Sequence, residues 1–416
     1  MTSFSIQTFG CRVNQAEAFS WADEFQSHGL RYEKDFTRSD FIVVNSCTLT
    51  SRADRDVRNF IKKASRLNPK ARLILTGCYV ERSSEEFGEF PQVWLLLSNA
   101  DKKSLPAKVL TFTSSQEEIL NFPFRSRALV KIQDGCSFHC AFCVIPNVRG
   151  PSVSFEKKEV LIQIKKLMNQ GFREIVLTGI HLCSYGLDLN PKSSLLKLLE
   201  EIERLDGLGR VRLSSLDPRF LSPALLEHIT TSKKICAHFH LSLQHGSDEI
   251  LKRMGRKISV KDYRKILSFL RHNSPLASLG TDLIVGFPGE TEEDFEATHN
   301  FLEQSPLTYF HVFSYSPRPG TIAGSWPQLN SKIKYERAAL LRELARKKNT
   351  NFRRLFVGKE CDAVVIKNEE DGTEVLTSNY IKVLTPSSCA EEKEEVKVII
   401  TRVTPRETFG EISGIK

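Results

Sequence analysis

Three cysteines lie within eight residues near the middle of the chain, in the run Gly135-Cys136-Ser-Phe-His-Cys140-Ala-Phe-Cys143. Thiolates are soft ligands that favour iron–sulfur clusters, zinc or Cu(I). A structural zinc site takes four ligands, usually supplied as two pairs, and this run has no local fourth partner. Three thiolates can hold three irons of a cubane and leave the fourth iron open to an external ligand. The alternatives are three buried cysteines or an incomplete zinc knuckle.

Three other cysteines are far apart in the sequence, but each directly follows a predicted strand. Cys11, Cys47 and Cys78 come after the strand-like runs 4–9, 40–45 and 71–76. Residues 54–67 have helical spacing, so this part of the chain predicts alternating strands and helices with a parallel sheet. Because the carboxyl ends of parallel strands share one edge, we expect the three thiols to converge there. The alternative is that each is a small buried hydrophobe.

A second series of alternating strands and helices follows the cysteine triplet. Its predicted strands are 127–132, 174–178, 210–214, 237–242, 279–285 and 309–314. Six such strands predict a partial (βα)6 TIM-like barrel, with its chemistry at the carboxyl ends of the strands. The triplet follows the first of them.

The last part of the chain changes character. Residues 331–354 predict a basic amphipathic helix, of which 331–350 is assigned as the linker. Strand-like runs at 361–366, 375–384 and 396–403 predict a small antiparallel β domain, a barrel or a sandwich. The fold class is therefore α/β with a β appendage. The predicted domains are 1–105 (N-terminal α/β), 125–330 (partial barrel), 331–350 (basic linker helix) and 351–416 (β domain), with a connector at 101–124.

Composition narrows the class of protein. The 416 residues carry 59 Lys and Arg against 50 Asp and Glu, and this net charge of +9 favours an acidic partner such as nucleic acid without requiring one. We expect no membrane span, since the chain has no apolar run of about 18 residues. Without a visible export signal, the ten cysteines predict a reducing, cytoplasmic setting and no disulfide framework.

The triplet, with Phe142 just before its third cysteine, resembles the radical S-adenosylmethionine superfamily. Further motifs resemble the methylthiotransferase family within it, and they run in order along essentially the whole chain. They are Gly10-Cys11-Arg-Val-Asn14-Gln15, Asn45-Ser-Cys47-Thr48, Thr76-Gly77-Cys78, Asp134-Gly-Cys136, Thr178-Gly-Ile-His181, Leu243-Gln244-His245-Gly-Ser247, Lys252-Arg-Met-Gly-Arg256 and Asp282-Leu-Ile-Val-Gly-Phe-Pro-Gly-Glu290.

The resemblance implies an iron–sulfur enzyme with two 4Fe–4S clusters. Cys136, Cys140 and Cys143 would be catalytic, holding the cluster that cleaves S-adenosylmethionine. An auxiliary cluster would be held by Cys11, Cys47 and Cys78. The resemblance also implies a C-terminal RNA-binding domain of the TRAM type, a sulfur donor, and an electron donor such as flavodoxin or ferredoxin.

The implied reaction inserts a methylthio group into an unactivated C–H bond. The motif beginning at Gly10 and the run Pro317-Arg-Pro-Gly-Thr321 look most like the branch acting on N6-threonylcarbamoyladenosine at tRNA position 37. Other branches act on isopentenyladenosine in tRNA or on an aspartate of a ribosomal protein. A different class of protein, a noncatalytic metal-containing RNA-binding protein, would explain the charge and the cysteines but leave the barrel motifs without a role.

Strand-end residues are candidates for binding S-adenosylmethionine. Gly179 permits close backbone approach, Ser214 offers a hydroxyl for ribose or carboxylate, and Gln244 and Asp282 offer polar groups. Each has an alternative interpretation as a barrel or loop residue. His238, His240 and His245 suggest a metal site, and His238 and His240 would share one strand face, but a core or hydrogen-bonded role is favoured.

Basic residues near the strand ends are candidates for tRNA phosphate contacts. They are Arg149, Arg253, Arg256, Lys257 and Arg318. The helix at 331–350 carries seven Lys or Arg against two Glu, whereas 351–416 carries ten basic and twelve acidic residues. The helix is therefore a better candidate for RNA contact than the β domain. On it, Leu340, Leu341 and Leu344 are expected to anchor the face opposite Arg342 and Arg346.

Overall fold

The computed structural model describes residues 2–88, 90–111 and 126–416. Most of the predicted connector, the first residue of the predicted barrel domain and Met1 lie outside these ranges. The described chain forms two compact units. The first contains residues up to 111 with 134–152 and 316–324, and the second contains 126–133, 153–315 and 325–416. No helix in the described ranges is long and apolar enough to cross a membrane.

The first unit is built on a parallel five-stranded sheet in the order β2-β1-β3-β4-β5. Its strands are Ser3–Thr8 (β1), Arg31–Tyr32 (β2), Phe41–Ser46 (β3), Arg72–Gly77 (β4) and Val93–Leu97 (β5). Its helices are Arg12–Ser27 (α1), Ser51–Leu67 (α2), Cys78–Ser83 (α3), Leu105–Leu110 (α4) and Ile145–Arg149 (α5). The predicted parallel sheet is confirmed. β3 is buried along its whole length, as expected of a strand covered on both faces.

Helix α2 illustrates how the sequence sets an element in this unit. The side chain of Thr50 accepts a hydrogen bond from the backbone N–H of Ala53 and caps the first turn. Val57, Ile61 and Ala64, spaced three and four residues apart, are buried against the sheet. The packed helix positions the start of the strand that follows it, β4, which ends at Gly77, immediately before Cys78.

The second unit contains six barrel strands. They form two parallel three-stranded sheets, β10-β9-β6 and β11-β12-β13, which isolated parallel bridges join at Val211–Ile235 and Leu216–Leu241. The strands are Ala128–Lys131 (β6), Glu174–Thr178 (β9), Arg210–Leu213 (β10), His238–His240 (β11), Ser278–Val285 (β12) and Tyr309–Ser314 (β13). The two-residue strands Gln133–Asp134 (β7) and Val153–Ser154 (β8) precede β9. The predicted partial (βα)6 barrel is confirmed.

Helices connect these strands and bury their apolar faces. They are Lys157–Asn169 (α6), Leu195–Glu203 (α7), Pro223–Thr231 (α8), Asp248–Arg253 (α9), Val260–Asn273 (α10) and Glu292–Gln304 (α11). Several of these helices begin with a serine N-cap. The side chains of Ser222 and Ser259, for example, each accept a hydrogen bond from the backbone N–H of the residue three positions later. The predicted basic helix is present as Ser331–Arg354 (α12).

The C-terminal β domain is a closed five-stranded barrel in the order β14-β15-β16-β18-β17. Its strands are Glu360–Glu369 (β14), Gly372–Thr377 (β15), Lys382–Thr385 (β16), Glu395–Val403 (β17) and Thr408–Ile415 (β18). All its pairs are antiparallel except β16 with β18. The run 375–384, expected as one strand, is two strands joined at Tyr380, which has a φ of +67°.

Candidate active site

The three outer cysteines lie at the same edge of the sheet in the first unit. Cys11 follows β1 and precedes α1, Cys47 follows β3, and Cys78 opens α3 directly after β4. Cys47 and Cys78 are each 3% exposed. Gly10 has a φ of +93°, and a Cβ built on it would lie 2.5 Å from the Cys47 Sγ. Because Gly10 has no side chain, its backbone approaches the Cys47 thiol closely. A larger residue at this position would fill the space that the thiol occupies.

Charge on Cys11 and Cys47 is disfavoured when no metal is bound. Burial, together with the neighbouring Cys11, raises the pKa of Cys47 to about 12. Burial likewise raises the pKa of Cys11, against the lowering effect of Arg149, and Cys78 adds to the rise. The three side chains are thus close enough to interact electrostatically. Ligation by a metal cluster requires thiolates, and its positive irons would compensate the charge that burial penalises.

Arg149 links the outer cysteines to the segment that carries the triplet. Its side chain is fully buried, and its Nε donates a hydrogen bond of 3.2 Å to the Cys78 Sγ. Its Nη1 contacts the carboxylates of Asp134 at 2.7 Å and Glu17 at 3.2 Å, and its Nη2 donates to Asn14. The prediction that Arg149 contacts tRNA phosphate is wrong, since this side chain presents no surface to solvent.

The triplet loop is held by backbone bonds within the first unit. The N–H of Cys136 donates to the carbonyl of Gly150 at 3.0 Å, and that of Cys143 donates to the carbonyl of Cys140 at 3.0 Å. Gly135 has a φ of +65°, and a Cβ there would lie 1.9 Å from the Pro151 oxygen. All three cysteines are partly exposed. The loop is therefore anchored at its base while its thiols remain accessible to an external ligand.

The predicted cofactor residues occupy distinct environments. Phe142 is half-buried in the triplet loop of the first unit. In the second unit, Gly179 follows β9 and lies so close to Gln133 that a Cβ would come within 2.9 Å of its Oε1. Ser214 follows β10, is 4% exposed, and its hydroxyl has no hydrogen-bond partner among the described residues. Buried hydroxyl groups usually have a hydrogen-bond partner, so the hydroxyl of Ser214 is available to bind a polar ligand.

Gln244 and Asp282 complete that set. Gln244 has a φ of +87°, and its backbone bonds to Asp282 and Ile284 on β12 fix this unusual conformation. The carboxylate of Asp282 contacts two imidazoles, those of His240 at 3.1 Å and His311 at 3.2 Å. Asp282 is therefore part of a histidine cluster, which the sequence did not indicate. Roles for these five residues in S-adenosylmethionine binding stay predictions.

A buried charge cluster at the strand ends of the second unit was missed by the sequence analysis. Asp217, 4% exposed, contacts His181 at 3.1 Å, Arg256 at 2.9 Å and Arg219 at 2.7 Å. Burial works to raise the pKa of Asp217, but hydrogen bonds from His181 and Arg219 and the charge of Arg256 outweigh it and hold the pKa well below its usual range. Asp217 lies three residues after Ser214, so its position past a strand end was the available signal.

The basic residues proposed for tRNA contact divide into two groups. Arg256 and Arg318 are each 5% exposed at the side chain and pair with Asp217 and Asp54, so their predicted phosphate role is wrong. Arg253 and Lys257 are exposed, and their phosphate contacts stay predictions. On α12, Leu341 and Leu344 are buried as expected. Leu340 is 56% exposed, so the prediction that it anchors the helix is wrong.

Two family models match the chain. Residues 130–302 match the Radical SAM superfamily. Residues 3–98 match Uncharacterized protein family UPF0004. The first match contains the cysteine triplet and the strands from β9 to β12, and the second contains all three outer cysteines.

Two curated relatives and one solved structure are similar over most of the chain. The threonylcarbamoyladenosine tRNA methylthiotransferase of Aquifex aeolicus is 37% identical over 91% of this chain and 95% of its own length. The protein of the same name from Thermotoga maritima is 34% identical over 86% of both chains.

The solved structure is the radical S-adenosylmethionine methyltransferase TsrM of Kitasatospora setae, with cobalamin and a 4Fe–4S cluster bound. It is 14% identical and has a TM-score of 0.58, covering 78% of this chain and 77% of that one. This likeness supports the fold alone. On the identity and coverage of the curated relatives, the chain belongs to the threonylcarbamoyladenosine tRNA methylthiotransferase family of radical S-adenosylmethionine proteins.

Proposed function

We propose that this protein replaces the C2 hydrogen of N6-threonylcarbamoyladenosine at position 37 of tRNA by a methylthio group, using S-adenosylmethionine and two 4Fe–4S clusters. The observation that carries the proposal is the presence of two separate cysteine triplets, each supported by its own backbone arrangement. The names and full-length similarity of the curated relatives support the substrate. The enzyme class follows from the family.

The outer triplet is proposed to hold the auxiliary cluster. Its donors are three thiols at one sheet edge, two of them nearly fully buried, which suits a cluster shielded from solvent. Arg149 would donate its Nε–H to the sulfur of Cys78 and offset the negative charge of a thiolate-bound cluster. Glu17 and Asp134 hold the guanidinium in that position.

The inner triplet is proposed to hold the cluster that binds S-adenosylmethionine. Cys136, Cys140 and Cys143 offer three ligands to a four-iron cluster, and their partial exposure leaves one face accessible. When bound, the clusters and S-adenosylmethionine supply the one-electron and sulfur-transfer chemistry that side chains lack. The role of the chain is to fix these groups and to keep water from the reacting atoms.

Strand-end residues are proposed to bind the remainder of S-adenosylmethionine. The unpartnered hydroxyl of Ser214 would hydrogen-bond its polar groups, and the fixed backbone at Gln244 would present that side chain in one direction. Gly179, whose missing side chain makes room for Gln133, would offer its backbone to the cofactor, and Phe142 would supply an apolar contact. Asp282 is the weakest member of the set, because its carboxylate already contacts two imidazoles.

The reaction implies further partners. Each cycle consumes electrons, and we propose a small electron-transfer protein such as flavodoxin or ferredoxin as their source. The inserted sulfur must come from a sulfur donor, and the methyl group from S-adenosylmethionine. A cytoplasmic setting is proposed from the tRNA substrate and the reduced cysteines.

The proposal is tested by mass spectrometry of tRNA nucleosides from cells that lack the gene and are complemented with the wild-type or a variant chain. The 2-methylthio derivative of N6-threonylcarbamoyladenosine should return with the wild type and with Cys389→Ala, a change at an exposed cysteine outside both triplets. It should not return with Cys140→Ala. If all strains contain the same amount of this nucleoside, or if the isopentenyl derivative changes instead, the proposed substrate is wrong.

Purified protein gives a second test. We expect Cys140→Ala to lose S-adenosylmethionine cleavage and about half of the bound iron, because two thiolates should not retain a cubane. Cleavage is measured as 5′-deoxyadenosine formed, and iron by elemental analysis. Unchanged 5′-deoxyadenosine formation would contradict the assignment of the inner triplet, and stoichiometric zinc in place of iron would favour a noncatalytic binding protein.

A further inference from the structure

We propose that His240, Asp282 and His311 form a binding site for one divalent transition-metal ion, of the zinc type, separate from both cysteine triplets. The site lies in the barrel of the second unit. It goes beyond the proposed function, which does not use such an ion.

The register of three neighbouring strands places these residues on one face. His240 on β11 pairs with Gly280 on β12, and Asp282, two residues further along β12, pairs directly with His311 on β13. Because side chains alternate along a strand, residues 240, 280, 282 and 311 point to the same side. Their donor atoms lie within 4.8 Å of one another.

The donor set and its dimensions suit such an ion. His240 Nε2 is 3.1 Å and His311 Nδ1 is 3.2 Å from the oxygens of Asp282. Ligands about 2.0–2.1 Å from a tetrahedral zinc ion are about 3.3 Å apart. Each histidine nitrogen is already at about that distance from one carboxylate oxygen, and the donor atoms would converge from separations of at most 4.8 Å. Two neutral imidazoles and one carboxylate carry a charge of −1, which attracts a cation. Two histidines with one carboxylate are a recurrent ligand set for zinc and ferrous iron.

Hydrogen bonding orients the imidazole of His240. The hydroxyl of Tyr309 lies 3.0 Å from His240 Nδ1 and 2.7 Å from His238 Nε2. Tyr309 reaches both because Gly280 has no side chain, and a Cβ there would overlap its ring. The ring of His238 stacks on Tyr380 at 4.3 Å. With Nδ1 of His240 engaged by the hydroxyl, its Nε2 faces the carboxylate, the arrangement that metal-binding histidines commonly have.

The cluster is accessible from solvent. The side chains of His240, Asp282 and His311 are 11%, 27% and 59% exposed, so exposure increases across the site. His311 and Tyr309 line a groove of about 620 Å³ that also contacts α12 and the C-terminal barrel. Three protein ligands would leave a fourth position open for water or an oxygen ligand.

The test measures zinc bound to the intact, cluster-loaded chain. Wild-type and variant proteins are dialysed against the same buffered free Zn²⁺, and zinc and iron are then determined by elemental analysis. We expect one zinc per wild-type chain. His311→Ala should bind at least tenfold more weakly, while His272→Ala, which removes an exposed histidine on α10, should bind as the wild type does. Equal iron in all proteins confirms that the cysteine clusters are intact.

Tyr309→Phe provides a further readout. It removes only the hydroxyl that orients His240, and loss of such a partner typically weakens metal binding 10- to 100-fold. If the wild type binds no zinc, the three side chains form a hydrogen-bonded cluster and the proposal is overturned. It is also overturned if His311→Ala binds as much zinc as the wild type. Either result leaves the proposed tRNA reaction untouched, since that reaction is measured on nucleosides.

Discussion

At Gly10, a single missing side chain makes room for Cys47, a proposed cluster ligand. The backbone has a φ of +93°, and a Cβ would overlap the side chain of Cys47. We therefore expect Gly10→Ala to lower bound iron by about half while the inner triplet keeps its cluster. The readouts are iron content and the 5′-deoxyadenosine formed, which should persist.

A matched glycine separates this effect from backbone strain. Gly171 also has a positive φ, +85°, but no atom lies within 4 Å of a Cβ built there. Gly171→Ala carries a similar conformational cost, roughly 1–2 kcal/mol, without the clash. It should retain full iron. Loss of iron in both variants would mean that strain, rather than the space beside Cys47, explains the result for Gly10.

The residues around Arg149 illustrate what the sequence could not provide. The convergence of Cys11, Cys47 and Cys78 was predictable, because each ends a buried parallel strand and such ends share one edge. The partners of Arg149 were not, since Glu17 is 132 residues away and no local pattern connects them. From the sequence alone, a basic residue beside a cluster motif could be either a buried partner of the cysteines or an exposed surface charge. Only tertiary contacts distinguish these two cases.

At the scale of elements, one buried carboxylate joins two barrel strands to the C-terminal barrel. Glu174 on β9 is fully buried and contacts Arg210 and Arg212 on β10 at 2.7 and 2.8 Å. Arg212 also donates to the carbonyls of Thr377 and Ser378. Burial works to raise the pKa of Glu174, but the guanidinium groups of Arg212 and Arg210 outweigh it and hold the pKa well below its usual range.

Glu174→Gln should therefore change stability and its dependence on pH. Removing one partner of a buried ion pair costs about 3–5 kcal/mol, so the urea midpoint at pH 7 should fall. A depressed pKa in the folded state gives stability above the unfolded value of about 4.3, and this stability is lost as pH falls below it. The wild type should lose stability between pH 5 and 3 more steeply than the variant. Glu200→Gln, at an exposed residue of α7, is the control, and parallel pH curves for wild type and Glu174→Gln would refute the argument.

Sequence pattern predicted the element types better than their ends. The barrel strands were found because buried parallel strands are apolar along most of their length. The run 375–384 was taken as one strand because it is rich in β-forming residues, although Thr377-Ser-Asn-Tyr380 is a turn. Ser and Asn are turn-forming residues, and the Thr377 hydroxyl donates a hydrogen bond to the Asn379 Oδ1, so the turn signal was present but outweighed by the flanking valines and leucines.

Helix α12 offers a testable RNA surface. Arg342, Arg346 and Lys347 are exposed, whereas Arg337 is buried and paired with Glu290. Substituting the three exposed residues by Gln should reduce the log–log salt slope of tRNA binding by roughly two to three if all contact phosphate. Because Arg346 already forms an ion pair with Glu343, we expect the slope to change by about two rather than about three. Binding is measured across a salt series.

A control with the same change in charge completes the experiment. Lys158, Lys165 and Lys166 are exposed on α6, and their replacement by Gln removes three positive charges from another face. This triple variant should alter the slope less. An unaltered slope for the α12 variant would remove that helix from the RNA surface and direct attention to Arg253 and Lys257.

At the scale of the whole molecule, both cysteine triplets belong to the first compact unit, while the six barrel strands belong to the second. The triplet follows β6 in sequence, yet its loop is anchored by Gly150 and by a bond from Ala323 to Ala141 within the first unit. The two proposed sets of ligands therefore belong to one compact unit, and Arg149 contacts Cys78 of the outer set from the end of the inner loop.

Different roles for the two triplets predict separable defects. Cys47→Ala should leave reductive cleavage of S-adenosylmethionine largely intact and stop methylthio insertion, because it removes a proposed ligand of the auxiliary cluster only. Cys47 is a better choice than Cys78, whose sulfur accepts the hydrogen bond from Arg149 and whose loss would disturb the inner loop as well. Cleavage is followed as 5′-deoxyadenosine and insertion by nucleoside mass spectrometry, with Cys236→Ala, at a buried cysteine of the second unit, as the matched control. If cleavage collapses in Cys47→Ala while iron analysis finds the inner cluster fully loaded, the two triplets do not divide the reaction in this way.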